Sequence, residues 1–223
     1  MRREPATSVV VETLIAVVEG DALIDNTSKE SVPWWSFGKV VLAVAALALA
    51  AEGRVALDEP LKGRPYSLRQ LLQHRAGLPD YGGLTEYARA VSEGDQPWTE
   101  TVLLERTRAD HLLFEPGRGW AYSNIGYLMV RRLIEEVTGE DIEAALQRLV
   151  LTPIGIHEVS LARTPADLAQ TAWGNPSGYD PRWVYQGLLV GHPGSKRRER
   201  ERADHTRRAV PLRGGNGGRI THR

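Results

Sequence analysis

Trp34-Trp35-Ser36-Phe37-Gly38-Lys39, continuing as Val40-Val41-Leu42-Ala43-Val44-Ala45-Ala46-Leu47-Ala48-Leu49-Ala50-Ala51, is the stretch on which the reading of this chain turns. From Val40 to Ala51 there is no polar face, which predicts a helix buried on all sides. Its Ala and Leu content favours helix over strand. It is too short for a membrane span and is bounded by Lys39 and Glu52, with Gly53 as a stop signal. Ser36 stands where this helix begins, and Lys39, three positions on, can share its face. A hydroxyl is a weak nucleophile until a base takes its proton. A lysine can be that base once its pKa falls, and burial or the positive end of a helix lowers it. The same two residues also fit a plainer role, Ser36 capping the helix and Lys39 reaching to water along its stem.

Outward from that helix, the N-terminal side reads as a β-hairpin. Val9–Val18 is rich in β-branched residues, Glu19-Gly20-Asp21 punctuates it, and Ala22-Leu23-Ile24 resumes. On the C-terminal side, Ser67 fits an N-cap for a helix over Leu68–His74, which Gly77 and Pro79 stop. Helical spacing recurs at Thr85–Glu93, Thr99–Ala109, Leu128–Val137 and Asp141–Val150. A short strand is expected over Ile156–Leu161 and a helical turn over Pro165–Gln170, while Trp183–Val190 is open between strand and helix. Strands, then mostly helices, then a return to strands favour an α+β fold.

Composition excludes several classes of function. The 223 residues suffice for one sizeable domain or two small ones. There is no cysteine, so disulfides, thiol catalysis and cysteine-held metals are out. The six histidines show no metal-ligand spacing. No cofactor and no membrane partner is expected. The N-terminal Met1-Arg2-Arg3-Glu4-Pro5 lacks the order of a signal peptide, and a cytoplasmic location is expected. Formal charge is zero but uneven. Residues 196–223 hold ten Lys and Arg against three Asp and Glu, a local +7, which leaves −7 on the remainder. Clustered arginines attract phosphates without sequence choice. The reading preferred here is a solvated, disordered segment with no specific nucleic-acid partner.

A second constellation follows the turn Pro116-Gly117-Arg118-Gly119. In Tyr122-Ser123-Asn124 a tyrosine hydroxyl can relay protons beside a cation, and the Asn124 amide can donate to a substrate carbonyl and accept from Lys39. By themselves these residues equally make a helix start, with Ser123 or Asn124 as cap and Tyr122 as packing.

Three stretches occur in a fixed order: Ser36-Phe37-Gly38-Lys39, Leu71-Leu72-Gln73-His74-Arg75-Ala76-Gly77-Leu78-Pro79, and Phe114-Glu115-Pro116-Gly117 through Tyr122-Ser123-Asn124-Ile125-Gly126-Tyr127. Together they resemble the serine β-lactamase-related hydrolases, which include class C-type β-lactamases, D-alanyl-D-alanine carboxypeptidases and esterases. Ser-x-x-Lys is the nucleophile signature of that group. The resemblance runs roughly from Val9 to Gly191. It implies a β-lactamase/transpeptidase-like α+β fold, with the hairpin in an antiparallel sheet beside a helical region. It implies acyl-enzyme chemistry on a small ester, amide or lactam. Ser36 is then the residue acylated, Lys39 the base and Tyr122 the proton shuttle, with Asn124 orienting Lys39 and binding substrate. His74 is read as structural, a histidine meeting the terminal carbonyls of a helix. The Ser36 amide is the expected first oxyanion donor.

The second oxyanion donor in that family comes from a strand carrying Lys-Thr-Gly or His-x-Gly. Here His192-Pro193-Gly194 fits the pattern only superficially. It is followed by Lys196-Arg197-Arg198-Glu199-Arg200-Glu201-Arg202, and Pro193 lacks a backbone donor. The expectation is a partial hydrolase domain over 1–190, lacking the later strands of its sheet, and an Arg/Gly-rich, disordered tail over 191–223. A catalytically impaired remnant or binding domain is the alternative, and a Ser-His-Asp arrangement of His74 and Asp80 ranks low for want of a Gly-x-Ser-x-Gly elbow.

Overall fold

Helix α1 (Gly38–Ala51) packs against two later helices and the turn that continues the second of them. A computed structural model describes residues 16–20, 22–26, 31–168, 171 and 188–191. On α1, Val41, Ala45, Ala46 and Leu49 are buried, a set spaced for one helix face. That face meets α5 (Asn124–Thr138), α6 (Ile142–Leu146) and the π turn Gln147–Leu151 that continues α6. α5 contributes Ile125, Leu128, Met129, Val130 and Ile134 to the shared core. α1 and α5 run parallel. Ser36 lies against Tyr122 at their N-terminal ends, and past their C-terminal ends Arg54 donates to the Val137 carbonyl at 2.5 Å.

The expectation that α1 is buried on all sides is corrected. Val40, Val44 and Leu47 form a stripe at i, i+4, i+7 and are 44–50% exposed. Burial is confined to Val41, Ala45, Ala46 and Leu49, so the apolar character of the helix overstates its burial. No helix among the described residues is long and apolar enough to cross a membrane.

The sequence-predicted helices are found with shifted ends. α2 is Leu68–Leu72, opened by a capping box in which Ser67 and Gln70 satisfy each other's backbone amides. α3 (Thr85–Glu93) matches its expected bounds, and α4 (Glu100–Arg106) is capped by Thr99. α5 starts four residues earlier than its apolar spacing indicated, with Ser123 as its N-cap. α7 is Pro165–Leu168.

Among the described residues, two antiparallel sheets accompany the helices. The hairpin is present as β1 (Ala16–Glu19) and β2 (Ala22–Asn26), with an irregularity between Val17 and Val18. Residues 9–15 of the expected first strand lie outside the described residues. The second sheet has β5 (Leu188–Gly191) between β3 (Val32–Pro33) and β4 (Val159–Ala162). The ambiguity of Trp183–Val190 is thereby resolved as strand for its last three residues. β3 leads directly into the turn that carries Ser36, so this sheet anchors the entry to α1. His192-Pro193-Gly194 and the tail beyond lie outside the described residues.

One-sided burial of α1 has a measurable consequence. Leu49, fully buried, should cost about 2–5 kcal/mol on replacement by Ala, whereas Leu47→Ala should stay within about 0.5 kcal/mol. Urea denaturation of both variants checks this. Equal losses would show that Leu47 is as buried as Leu49.

Candidate active site

Pro33 is buried and rigid, and the chain turns sharply after it. Trp35 has φ +44°, a left-handed backbone that a bulky residue adopts only under constraint. Trp35–Phe37 then forms one 3-10 turn, closed by the Phe37 amide donating to the Trp34 carbonyl at 2.9 Å. This presents Ser36, exposed, at the N-terminus of α1.

The structure brings three of the expected residues together across 86 positions of sequence. Lys39 Nζ donates to Ser36 Oγ at 3.2 Å, and Ser36 Oγ lies 3.2 Å from Tyr122 Oη. The ammonium also sits 5.3 Å from the Tyr122 ring centroid and 5.8 Å from that of Tyr127, within cation–π range. The serine hydroxyl thus has a basic nitrogen and a phenol as its two polar neighbours, and the Ser36 side stays open to solvent.

Asn124 is placed differently from expectation. Its backbone amide donates to Asp80 Oδ1 at 2.7 Å and its side-chain Nδ2 to Asp80 Oδ2 at 3.3 Å. The expected contact with Lys39 is not formed among the described residues. The carboxylate of Asp80 meets the first amide of α5, where negative charge is favoured, and takes the Asn124 carboxamide with it.

His74 also departs from its expected role. α2 ends at Leu72, and His74 follows the C-cap with φ +57°. Its imidazole does not donate to helix carbonyls. Instead Nδ1 accepts from the Ser123 amide at 3.1 Å, while its carbonyl accepts from the Ala121 amide at 3.0 Å. Burial, and then the nearby Lys39 cation, hold its pKa below the ordinary histidine value, with Asp80 opposing. Asp80 is engaged by Asn124, and among the described residues no hydrogen bond joins His74 to Asp80 or to Ser36, so a Ser-His-Asp relay has no geometric support. Sequence reasoning missed both tasks because each depends on a loop more than 40 residues away; the only signal was the place of His74 in the stretch Leu71–Pro79, which Asp80 directly follows.

The loop after α2 is tied to the segment before α5 at several points. Besides the His74 contacts, Leu113 donates to the Gly77 carbonyl at 2.7 Å and Gly117 to that of Arg75 at 2.8 Å. Ser123 Oγ donates to the Pro79 carbonyl at 2.7 Å, and Tyr127 Oη donates to that of Leu72 at 3.1 Å. Burial pushes the Tyr127 phenol pKa up, with Tyr122 adding to it, so this phenol stays a donor. Among the described residues, no three His, Asp or Glu side chains gather closely enough to hold a metal ion.

Comparison with known proteins places this arrangement in context. The Beta-lactamase family model matches residues 7–220. Penicillin-binding protein 4* of Bacillus subtilis (strain 168) is 30% identical over 133 residues, 57% of this chain and 28% of that protein. The esterase EstB of Burkholderia gladioli is 31% identical over 145 residues, 55% of this chain and 36% of its own length. The chain therefore spans about a third of the length of these relatives. Among solved structures, the D-amino acid amidase from Ochrobactrum anthropi SV3 superposes with a TM-score of 0.60 at 24% identity, covering 77% of this chain and 55% of that one. That likeness establishes a shared fold, with helices and antiparallel strands arranged as the α+β reading of the sequence required.

Gly77 lies where the two loops meet, its carbonyl accepting from the Leu113 amide. It has φ +80°, and a Cβ there would stand 2.3 Å from the Phe114 carbonyl oxygen. Gly77→Ala should lose about 2–6 kcal/mol, combining backbone strain with overpacking. Denaturant unfolding reads this directly; an unchanged midpoint would show that the two loops are not in contact.

Proposed function

The chain belongs to the Beta-lactamase family, and we propose that it acts within it by acyl transfer from a small ester, amide or lactam, with Ser36 as nucleophile. The observation that carries this reading is the convergence of Lys39 Nζ and Tyr122 Oη on Ser36 Oγ at 3.2 Å each. An ester is the first substrate to try, since EstB is named an esterase.

With Lys39 in its neutral amine form, Ser36 Oγ attacks the substrate carbonyl as its proton passes to Lys39 Nζ, the carbonyl π electrons moving to oxygen. The backbone amide of Ser36, at the start of α1, is the proposed first donor to that oxyanion. The positive end of α1 lies beside Ser36 and favours the negative charge that develops there. Collapse of the tetrahedral intermediate breaks the bond to the leaving group, and Tyr122 supplies its proton. Tyr122 is reprotonated from Lys39, whose ammonium lies over its ring. Water then attacks the acyl-enzyme with the same pair acting in reverse, releasing the carboxylic acid and restoring Ser36. Asn124, pinned by Asp80 beside Tyr122, is proposed to bind the substrate's acyl side through its carboxamide.

Incubation with a fluorophosphonate, followed by peptide mass spectrometry, tests the nucleophile. The adduct is expected on Ser36 and should vanish in Ser36→Ala; an adduct that persists in that variant would remove Ser36 from this role.

Lys39 and Tyr122 form one proton-transfer unit, so their removal should not be additive. Lys39→Ala and the double variant Lys39→Ala/Tyr122→Phe should lose similar labelling rates. Losses that simply multiply would assign the two residues independent roles.

A further inference from the structure

Tyr122 can serve the acyl-transfer centre only if its hydroxyl is held on Ser36, and its own side chain makes no other hydrogen bond among the described residues. What holds it is the residue beneath its ring. His74 accepts from Ala121 with its carbonyl and from Ser123 with Nδ1, gripping the chain on both sides of Tyr122. The imidazole lies 4.5 Å from the Tyr122 ring at an interplanar angle of 33°. Tyr127, at 5.2 Å, and Trp120, at 6.1 Å, pack around the same imidazole.

We propose that His74 is a positioning residue of the acyl-transfer centre, which sets Tyr122 Oη against Ser36 Oγ through the Ser123 N–H···Nδ1 bond and the ring stack. The proposal rests on the acyl-transfer reading above. The backbone supports it. A left-handed residue just past a helix end is usually Gly and sometimes Asn. Histidine there accepts a conformational cost that glycine would not, and the hydrogen bonds that offset this cost are those on either side of Tyr122.

The Nδ1 bond also specifies a protonation state. An imidazole that accepts at Nδ1 is neutral and carries its hydrogen on Nε2; the imidazolium has no acceptor. The groups facing His74 are Lys39 from α1, Asp80 from its own loop, and the phenols of Tyr122 and Tyr127. Burial and Lys39 outweigh Asp80, so the folded protein disfavours the imidazolium. With the folded pKa below the free value, the contribution to stability is present above about pH 6.5 and is lost as pH falls through the folded value.

The test uses the full 223-residue chain and two variants that both tolerate the left-handed backbone. His74→Gly keeps the conformation and loses the acceptor, whereas His74→Asn keeps the conformation and offers Oδ1 in place of Nδ1. Fluorophosphonate labelling of Ser36 is resolved into reagent affinity and maximal rate, on samples shown by circular dichroism to be folded. The expected result is a maximal rate about 10- to 100-fold lower in His74→Gly with affinity unchanged. His74→Asn should label about tenfold faster than His74→Gly. Equal rates in wild type and His74→Gly, or equal defects in both variants, would overturn the proposal. A wild type that does not label at Ser36 would overturn the acyl-transfer reading beneath it. Nitrogen-15 NMR of the unreacted protein gives a readout independent of activity: a neutral Nε2–H tautomer supports the assignment, and an Nδ1–H tautomer or an imidazolium at pH 7 overturns it.

Discussion

The parallel packing of α1 on α5 is the constraint from which the site follows. Ala45, Ala46 and Leu49 on one helix meet Ile125, Leu128, Val130 and Ile134 within one core, every one of them at most 9% exposed. Because the helices run the same way, both N-termini emerge at one end. Ser36 and Lys39 belong to the start of α1, Tyr122 and Asn124 to the start of α5. Apolar burial along the helices thereby brings a hydroxyl, an amine and a phenol within hydrogen-bonding distance at their ends. The positive end of α1 is left beside Ser36, while that of α5 is met by the Asp80 carboxylate.

The loops that complete the site are held by polar contacts of a different kind. Residues 74–80 and 113–127 are joined by backbone bonds, and three donors at the start of α5 are met by side chains: Ser123 serves Gly126, His74 serves Ser123, and Asp80 serves Asn124. A helix start has orphan amides that must find acceptors. Here two of these acceptors, His74 and Asp80, come from the neighbouring loop, so capping α5 and placing Tyr122 are one event. The left-handed backbone at His74 and Gly77 brings that loop close enough to do so.

Local signals were legible where the chain's own neighbours decide the outcome. Thr85–Glu93, the Ser67 cap and the hairpin turn at Gly20 rest on contacts within a few residues. Boundaries failed where capping overrode periodicity. α5 begins at Asn124 because Ser123 caps it, although its apolar spacing is clear only from Leu128. α1 is the instructive miss. Hydrophobicity says that a helix can be buried, and only the arrangement of neighbours says which sides are.

Sequence alone determined the residue types that can carry the chemistry and their order: Ser36 with Lys39 one helical turn on, and Tyr122 and Asn124 at the head of a later helix. It did so because both groupings are local and have fixed helical spacing. Tertiary structure decided which of them meet. The contact of Ser36 with Tyr122 spans 86 residues, and those of His74 with Ser123 and Asp80 with Asn124 span 49 and 44. No periodicity encodes such pairs, since they arise from the burial of one helix face against another. That same packing turned Asn124 toward Asp80 instead of Lys39 and placed His74 under Tyr122 instead of on the carbonyls of its own helix.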